Sequence, residues 1–375
     1  MQTLNGIEDV LQHLYVHIPF CPKICPYCSF YKEASDHNKT QAFLDSILIE
    51  LDLRLEQISG RSPETIFFGG GTPSALSVKQ LAFLLNGLRG RLDLSNLHEW
   101  TLEMNPATVS LEKAKTLRDS GINRISMGVQ SWNSKILETL GRVHSAEQAE
   151  RSFEILREAG FSNLNLDLIF GVPGQSAFEW KETLEKTISL GPEHISAYCL
   201  TYEEDTEFFR RFSHGELTQN VEQDATLFEF TMRILEEAGY RQYEISNYAR
   251  AGFECLHNLG YWKGDDYIGL GPSAFSTVGA RRWKNTPDTS QYVAQIQSDV
   301  EPVAFEETLS REIRQAEQIA FGLRTSAGVP ESQVAAWPEE IASLLSEGYL
   351  EKAGNCVRLT SKGRMVADSV GELFV

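Results

Sequence analysis

From residue 14 to about residue 240 the chain repeats one pattern: a short run rich in β-branched and aromatic residues, then an amphipathic stretch at helical spacing. LYVHI (14–18) precedes FLDSILIELDLRLEQI, TIFF (65–68) precedes VKQLAFLLNGLRG, and EWTLEM (99–104) precedes LEKAKTLRDSG. RISMGV (124–129) leads into helical pattern over 133–159, NLNLDLIF (163–170) into FEWKETLEKTISLG, and HISAYCL (194–200) into a helix near 221–238. Strands alternating with helices predict parallel βαβ units. Six of them predict an α/β fold, a partial (β/α)6 TIM-like barrel.

Three regions are expected: residues 1–240 as the barrel, 241–305 as an extension and connector, and 306–375 as a small C-terminal helical, winged-helix-like domain. Residues 281–305 read as irregular, with Arg281, Arg282, Pro287 and Pro302. Helical pattern returns in SREIRQAEQIAFGLR and PEEIASLLSEGYL, followed by a strand pair in YLEKAG and CVRLT and a last helix, SKGRMVADSVGELF. A net charge of -18 argues against a nucleic-acid partner, because phosphate binding needs clustered Lys and Arg. No run approaches the roughly 18 apolar residues of a membrane span, so no transmembrane segment is expected and the setting is cytoplasmic.

The first βα loop holds Cys21, Cys25 and Cys28 at CxxxCxxC spacing. Thiolate is the metal-binding form of cysteine, and three of them on one loop can hold three irons of a 4Fe-4S cluster. A full set is four cysteines, but Ser29 and Phe30 follow. The fourth iron is then open to an exchangeable ligand, as a catalytic zinc keeps one position free. Two other readings of the loop exist. A disulfide framework suits small secreted chains, whereas this chain has 375 residues, six cysteines and no evident signal peptide. A zinc site completed by His17 or His37 also fits the spacing. Cys199, Cys255 and Cys356 are scattered and read as small apolar residues.

Other unusual residues fall at the same ends of the strands. Gly69-Gly70-Gly71-Thr72-Pro73 follows the second, Glu103-Met104-Asn105-Pro106 ends the third, Gln130 ends the fourth, Asp167 lies in the fifth and Thr201 follows the sixth. Barrel enzymes build their sites from the loops at this C-terminal face. Each residue has a plainer reading: the glycines as a turn, Glu103 as a solvated loop acid, Asp167 as half of a structural salt bridge, Arg142 as a surface helix residue. Glycines also let a ligand approach the backbone closely, and a carboxylate beside the cysteine loop can bind an ammonium group.

Together, CxxxCxxC, the GGxP-type shelf and the acid near the third strand end resemble the radical S-adenosylmethionine (SAM) enzymes. YVHIPFCPKICPYC, FFGGGTPS, LEMNP, RISMGVQSWN, LGRVHS and LNLDLIFGVPGQ narrow the resemblance to the oxygen-independent coproporphyrinogen oxidases and their HemW relatives. It implies that SAM chelates the open iron through its amino and carboxylate groups, and that an electron from the reduced cluster cleaves its sulfonium to a 5′-deoxyadenosyl radical. It also implies that Tyr15 and Tyr27 flank the cluster, that Gly70, Gly71 and Thr72 form the SAM shelf, and that Glu103 meets the polar end of SAM. Gln130, Arg142, Asp167, Thr201 and Phe275 match positions that contact SAM, or a second SAM, in the oxidases.

Two departures separate this chain from the oxidases: Phe30 stands where they carry a further cysteine, and only twenty residues precede the cysteine motif. His257-Asn258 and Tyr261-Trp262 make HNxxYW, a motif of the HemW group, whose members the resemblance implies bind heme and pass it to an acceptor protein. Histidine is a common heme ligand, and Tyr261 and Trp262 could pack on a porphyrin face. A lone histidine is also often a hydrogen-bonded structural residue, and Cys255 is an alternative thiolate. The expected cofactors are therefore a 4Fe-4S cluster, SAM and heme, with a heme-accepting protein and a reducing partner for the cluster. The rival reading is a coproporphyrinogen oxidase or another radical SAM enzyme acting on a porphyrin.

Overall fold

The computed structural model describes residues 11–34, 37–58 and 60–375. The start of the expected 1–240 region and the side chain of His37 lie outside the described residues. Six parallel strands, β1 (His13–Ile18), β2 (Thr65–Gly70), β3 (Glu99–Met104), β4 (Arg124–Gln130), β5 (Leu164–Phe170) and β6 (His194–Cys199), pair in sequence order. Helices cover their outer face, and Ile66, Phe68, Trp100, Leu102, Leu166 and Trp180 are among the side chains buried between the layers. The helices start where the sequence provides caps: Ser77 with Gln80, Ser145 with Gln148 and Ser176 with Glu179 form reciprocal capping boxes. These place each strand's C-terminal end at one common mouth.

The sheet does not stop at residue 240. On one side it adds β8 (Asn247–Ala249), antiparallel to β6, and beyond it β7 (Arg241–Gln242), antiparallel to β8. On the other, β9 (Tyr267–Leu270) runs parallel to β1, followed by antiparallel β10 (Phe275–Val278), β11 (Arg281–Asn285) and β12 (Val303–Thr308). The twelve strands run β12-β11-β10-β9-β1-β2-β3-β4-β5-β6-β8-β7 and remain open, a partial barrel with a widened rim.

The expected irregular connector over 281–305 is therefore corrected to strand, helix (Thr289–Gln297) and edge strand. A buried carboxylate ties it down. Glu50 accepts hydrogen bonds from Asn285 Nδ2 (2.7 Å), the Tyr292 hydroxyl (2.7 Å) and the Gly271 amide (2.8 Å). Arg281 and Arg282, which read as part of that irregular connector, pair across the strands with Glu306 and Glu307.

The expected long helical pattern over 133–159 is likewise two helices, Ser134–Thr139 and Ala146–Glu158. Between them Gly141 adopts φ 67° against Pro26 of the cysteine loop, and the turn aims Arg142 at the mouth.

After β12, helix Arg311–Leu323 and helix Pro338–Ser346 frame a three-stranded antiparallel sheet of Val329–Pro330, Cys356–Leu359 and Leu350–Ala353. This unit has its own core of Ile319, Leu323, Val329, Leu344, Leu350, Val357 and Leu359. The expected last helix is two short pieces, Ser361–Arg364 and Ala367–Gly371. Arg314 donates to Asp266 at 2.9 Å, and Trp262 meets Phe321 edge-on, joining the unit to helix Leu256–Lys263 beside the barrel.

Candidate functional site

A cavity of about 390 Å³ opens at the C-terminal ends of β1–β6. Cys21, Cys25, Tyr27, Cys28, Gly70, Gly71, Thr72, Glu103, Gln130, Arg142, Asp167 and Thr201 all line it. Residues up to 180 positions apart in sequence thus share one wall, as the strand-end reading requires. Tyr15, Phe275 and His257 do not line it.

The cysteine loop is held at both feet. Phe20–Cys21 pairs in parallel with Glu33–Ala34, and the Thr72 amide donates to the Phe20 carbonyl at 2.9 Å, carrying the β1–β2 ladder into the loop. Cys21 is buried beside Thr72, with Sγ 3.5 Å from Oγ1, while Cys25 and Cys28 are half-buried across a tight turn closed by the Cys28 amide on the Cys25 carbonyl. All six cysteines are free thiols. Burial pushes the Cys21 and Cys28 thiols up, and the Lys32 ammonium works against this at Cys28. Arg142 Nη1 donates to Cys25 Sγ at 3.6 Å and Nη2 to the Gly128 carbonyl at 2.7 Å; its Nε is buried without a partner. Arg142 is thus a wall residue, not a surface one. His17, whose ring could complete a zinc site, has both nitrogens engaged, by the Tyr15 hydroxyl (3.0 Å) and the Tyr31 carbonyl (2.9 Å), and burial lowers its imidazole to about 4.

The glycine run serves the chain's own packing as well as the cavity. Gly70 has φ 103°, and a Cβ there would lie 2.5 Å from the His17 ring; a Cβ on Gly71 would lie 2.6 Å from the Pro19 carbonyl. Only glycine lets these two strand ends approach so closely.

Glu103 sits recessed in the opposite wall, and burial, reinforced by the Asp167 charge, pushes its carboxyl up to about 8. Asp167 is held by neutral donors, Ser126 Oγ at 3.0 Å and Asn165 Nδ2 at 2.8 Å, in place of the salt bridge its plainer reading supposes. Gln130 takes φ 68° at a bulge in the β4–β5 pairing, and its Oε1 is buried without a partner. A non-glycine residue in this conformation costs roughly 1–3 kcal/mol, so the bulge turns a polar side chain into the mouth against its local preference. Thr201 stands at the rim, its hydroxyl on Glu203 at 2.8 Å. Tyr27 backs onto Phe208 behind the cysteine loop.

The remaining expected residues lie elsewhere. Tyr15 is below the mouth on β1, its phenol pushed up by burial and then by the Glu103 charge. Phe275 lines a second cavity of about 330 Å³ with Tyr261, Trp262, Arg282 and Arg314. His257 is 1% exposed and sits at the opposite ends of the strands from the cysteines, beside the first residues of β1 and β2. Its Nδ1 meets Thr65 Oγ1 at 2.7 Å and its Nε2 the Tyr261 hydroxyl at 3.1 Å. Both nitrogens are engaged, so an iron could bind neither without opening a buried hydrogen bond. Below it, Glu99 accepts from the Cys255 thiol (3.3 Å) and from the Leu256 (3.0 Å) and His257 (3.1 Å) amides, fixing the start of helix Leu256–Lys263. Cys255 is thereby buried as well.

We expect His257→Ala to cost about 2–4 kcal/mol of stability, from a new cavity and the orphaned Tyr261 hydroxyl, while Thr65 keeps its bond to His13. Denaturant midpoints measure it, and an unchanged midpoint would contradict this packing role.

The lining residues that sequence reasoning missed include Lys23, Ile24, Phe30 and Lys32 on the outer loop and Ser126, Tyr198 and Cys199 on the wall. Cys199 ends β6, where the strand-end rule applied to the others would have found it; burial, with Asp224 nearby, pushes its thiol up to about 12.

Residues 15–187 match the radical SAM superfamily. The chain is 35% identical to the heme chaperone HemW of Bacillus subtilis, covering 97% of this chain and 99% of that one. It is 35% identical to the heme chaperone HemW of Escherichia coli, covering 96% and 97%. The solved structure of the E. coli coproporphyrinogen III oxidase HemN, a radical SAM enzyme, superposes with a TM-score of 0.85 over 98% of this chain and 90% of that one, at 25% identity. With relatives matched from end to end at this level, the chain belongs to the HemW family of the radical SAM superfamily.

Proposed function

We propose that this protein is a heme chaperone that carries a 4Fe-4S cluster and SAM in its mouth and passes heme to an acceptor protein. The observation that carries this is the 35% identity to a heme chaperone over 97% of this chain and 99% of the relative. The mouth's own residues fit the two cofactors. Three free thiols on one loop are a donor set for three irons. Among the described residues the recessed Glu103 carboxyl has no ion-pair partner, and the buried Gln130 Oε1 and Arg142 Nε have no hydrogen-bond partner. An amino-acid end with an ammonium and a carboxylate would answer these needs.

When bound, the cluster and SAM supply one-electron chemistry at the sulfonium. On this reading Cys21, Cys25 and Cys28 hold the cluster, and Glu103 receives the SAM ammonium. Gly70, Gly71, Thr72, Gln130, Asp167 and Thr201 shape the rest of its pocket. Arg142 and Tyr27 brace the loop beside Cys25. Tyr15 and His257 act as packing residues beneath it. A reducing partner and a heme acceptor complete the cycle. The free thiols suit the reducing cytoplasm, and among the described residues no helix is long and apolar enough to cross a membrane.

The likeness to HemN favours a second reading, a porphyrin-processing enzyme. One cluster-reconstituted preparation separates the two: heme titration should show saturable binding while coproporphyrinogen is left unchanged. Turnover without heme binding would reverse the assignment.

A further inference from the structure

The outer lip of the mouth is unlike the rest of this molecule. On a chain of net charge -18, the cysteine loop carries Lys23 and Lys32 together with two strongly exposed apolar side chains, Ile24 at 49% and Phe30 at 66%. All four line the cavity whose floor holds Glu103 and Asp167. Among the described residues Lys23 has no carboxylate partner. Lys32 spends one donor on the Cys28 carbonyl and has others to give.

An apolar shelf flanked by cations over an acidic floor fits one kind of ligand: a flat apolar ring system with carboxylates at its edge. The carboxylates are drawn to the lysines at the rim, which fixes the orientation. The second cavity, although aromatic, lacks this complement. Arg282 is already bidentate on Glu317, both contacts 2.7 Å, and Arg314 is paired with Asp266 at 2.9 Å, so among the described residues no free cation waits there for a propionate. His257 is enclosed, as described above.

The geometry points to this lip as the heme-binding surface, with the macrocycle on Ile24 and Phe30 and the propionates on Lys23 and Lys32. The assignment rests on the heme-chaperone reading and locates its ligand. Recognition here uses the ring and its carboxylates, so it does not depend on iron.

The test titrates the cluster-loaded protein with ferric protoporphyrin IX, with metal-free protoporphyrin IX and with the ferric dimethyl ester. Phe30→Ser should weaken both acid porphyrins by about tenfold or more, the loss expected for an exposed aromatic anchor. Lys23→Glu should weaken the acids and leave the ester unaffected. Phe178→Ser, an equally exposed residue on helix Ala177–Leu190, should change nothing. Retained cluster absorption shows that each variant is folded. Wild-type affinity in both lip variants, or binding of the ferric forms alone, would overturn the lip assignment while leaving the chaperone reading intact. No binding of any porphyrin by the unmutated protein would overturn both.

Discussion

Cys25→Ala yields a folded protein that cannot retain a 4Fe-4S cluster. Cys25 is half-buried on a loop whose feet are fixed by main-chain pairing at Phe20–Cys21 and Glu33–Ala34. Removing its thiol therefore costs little stability; Arg142, which donates to the sulfur, keeps its bond to the Gly128 carbonyl. What disappears is one of only three thiolates on the loop, and Ser29 and Phe30 offer no replacement. Anaerobic reconstitution followed by iron and sulfide analysis should fall to background, with the unfolding midpoint of the metal-free protein moved by about 0.5 kcal/mol or less, as for surface changes generally. A variant that still takes up a full cluster would remove Cys25 from the ligand set.

Glu103→Gln should gain stability and lose SAM. The ordinary glutamate value is 4.5, and burial raises Glu103 to about 8. Between those limits the folded state holds a proton that the unfolded state has released, so the carboxyl's contribution is intact below 4.5 and is lost as pH rises through 8. Glutamine at this position never ionises. Metal-free E103Q should match the parent protein near pH 5 and exceed it by about 2–4 kcal/mol above pH 8, a figure discounted for partial solvent access. Thermal unfolding at the two pH values measures this. SAM affinity, read by calorimetry on the cluster-loaded protein, should fall about 100-fold with the loss of a charge-assisted partner. Unchanged SAM affinity would sink the assignment of Glu103 to the ammonium; an unchanged pH profile would show that its carboxyl ionises normally in the folded state.

Much of this arrangement was legible in the sequence because period and position carry it. The six strand runs stand within two residues of their structural limits, since continuous apolar runs bounded by glycine or proline leave little choice. Polar residues interrupting those runs at their C-terminal ends mark the mouth. What escaped was set by partners distant in sequence. Residues 281–305 read as a connector because their arginines gave no hint that Glu306 and Glu307 would pair with them across a sheet edge. The pattern over 133–159 hid a break because a single glycine, Gly141, turns only where Pro26 needs room. HNxxYW showed neither that it lies on helix Leu256–Lys263 nor which way its histidine faces; that follows from Thr65 and Tyr261, and the side chain points away from solvent.

Strand β3 bears two glutamates four residues apart on the same face, one at each end. At the lower end Glu99 was completed during folding, its oxygens taken by the Leu256 and His257 amides and the Cys255 thiol. At the upper end Glu103 has the Gly70 amide, an acidic neighbour in Asp167 and, among the described residues, no ion pair, the Arg124 charge acting on it from a guanidinium that pairs with Glu99. The strand is a stiff ruler of roughly 13 Å between them. One residue type, repeated along one segment, thus serves once as mortar and once as an open socket: the fold finishes the first by itself and leaves the second to be finished by whatever cation arrives.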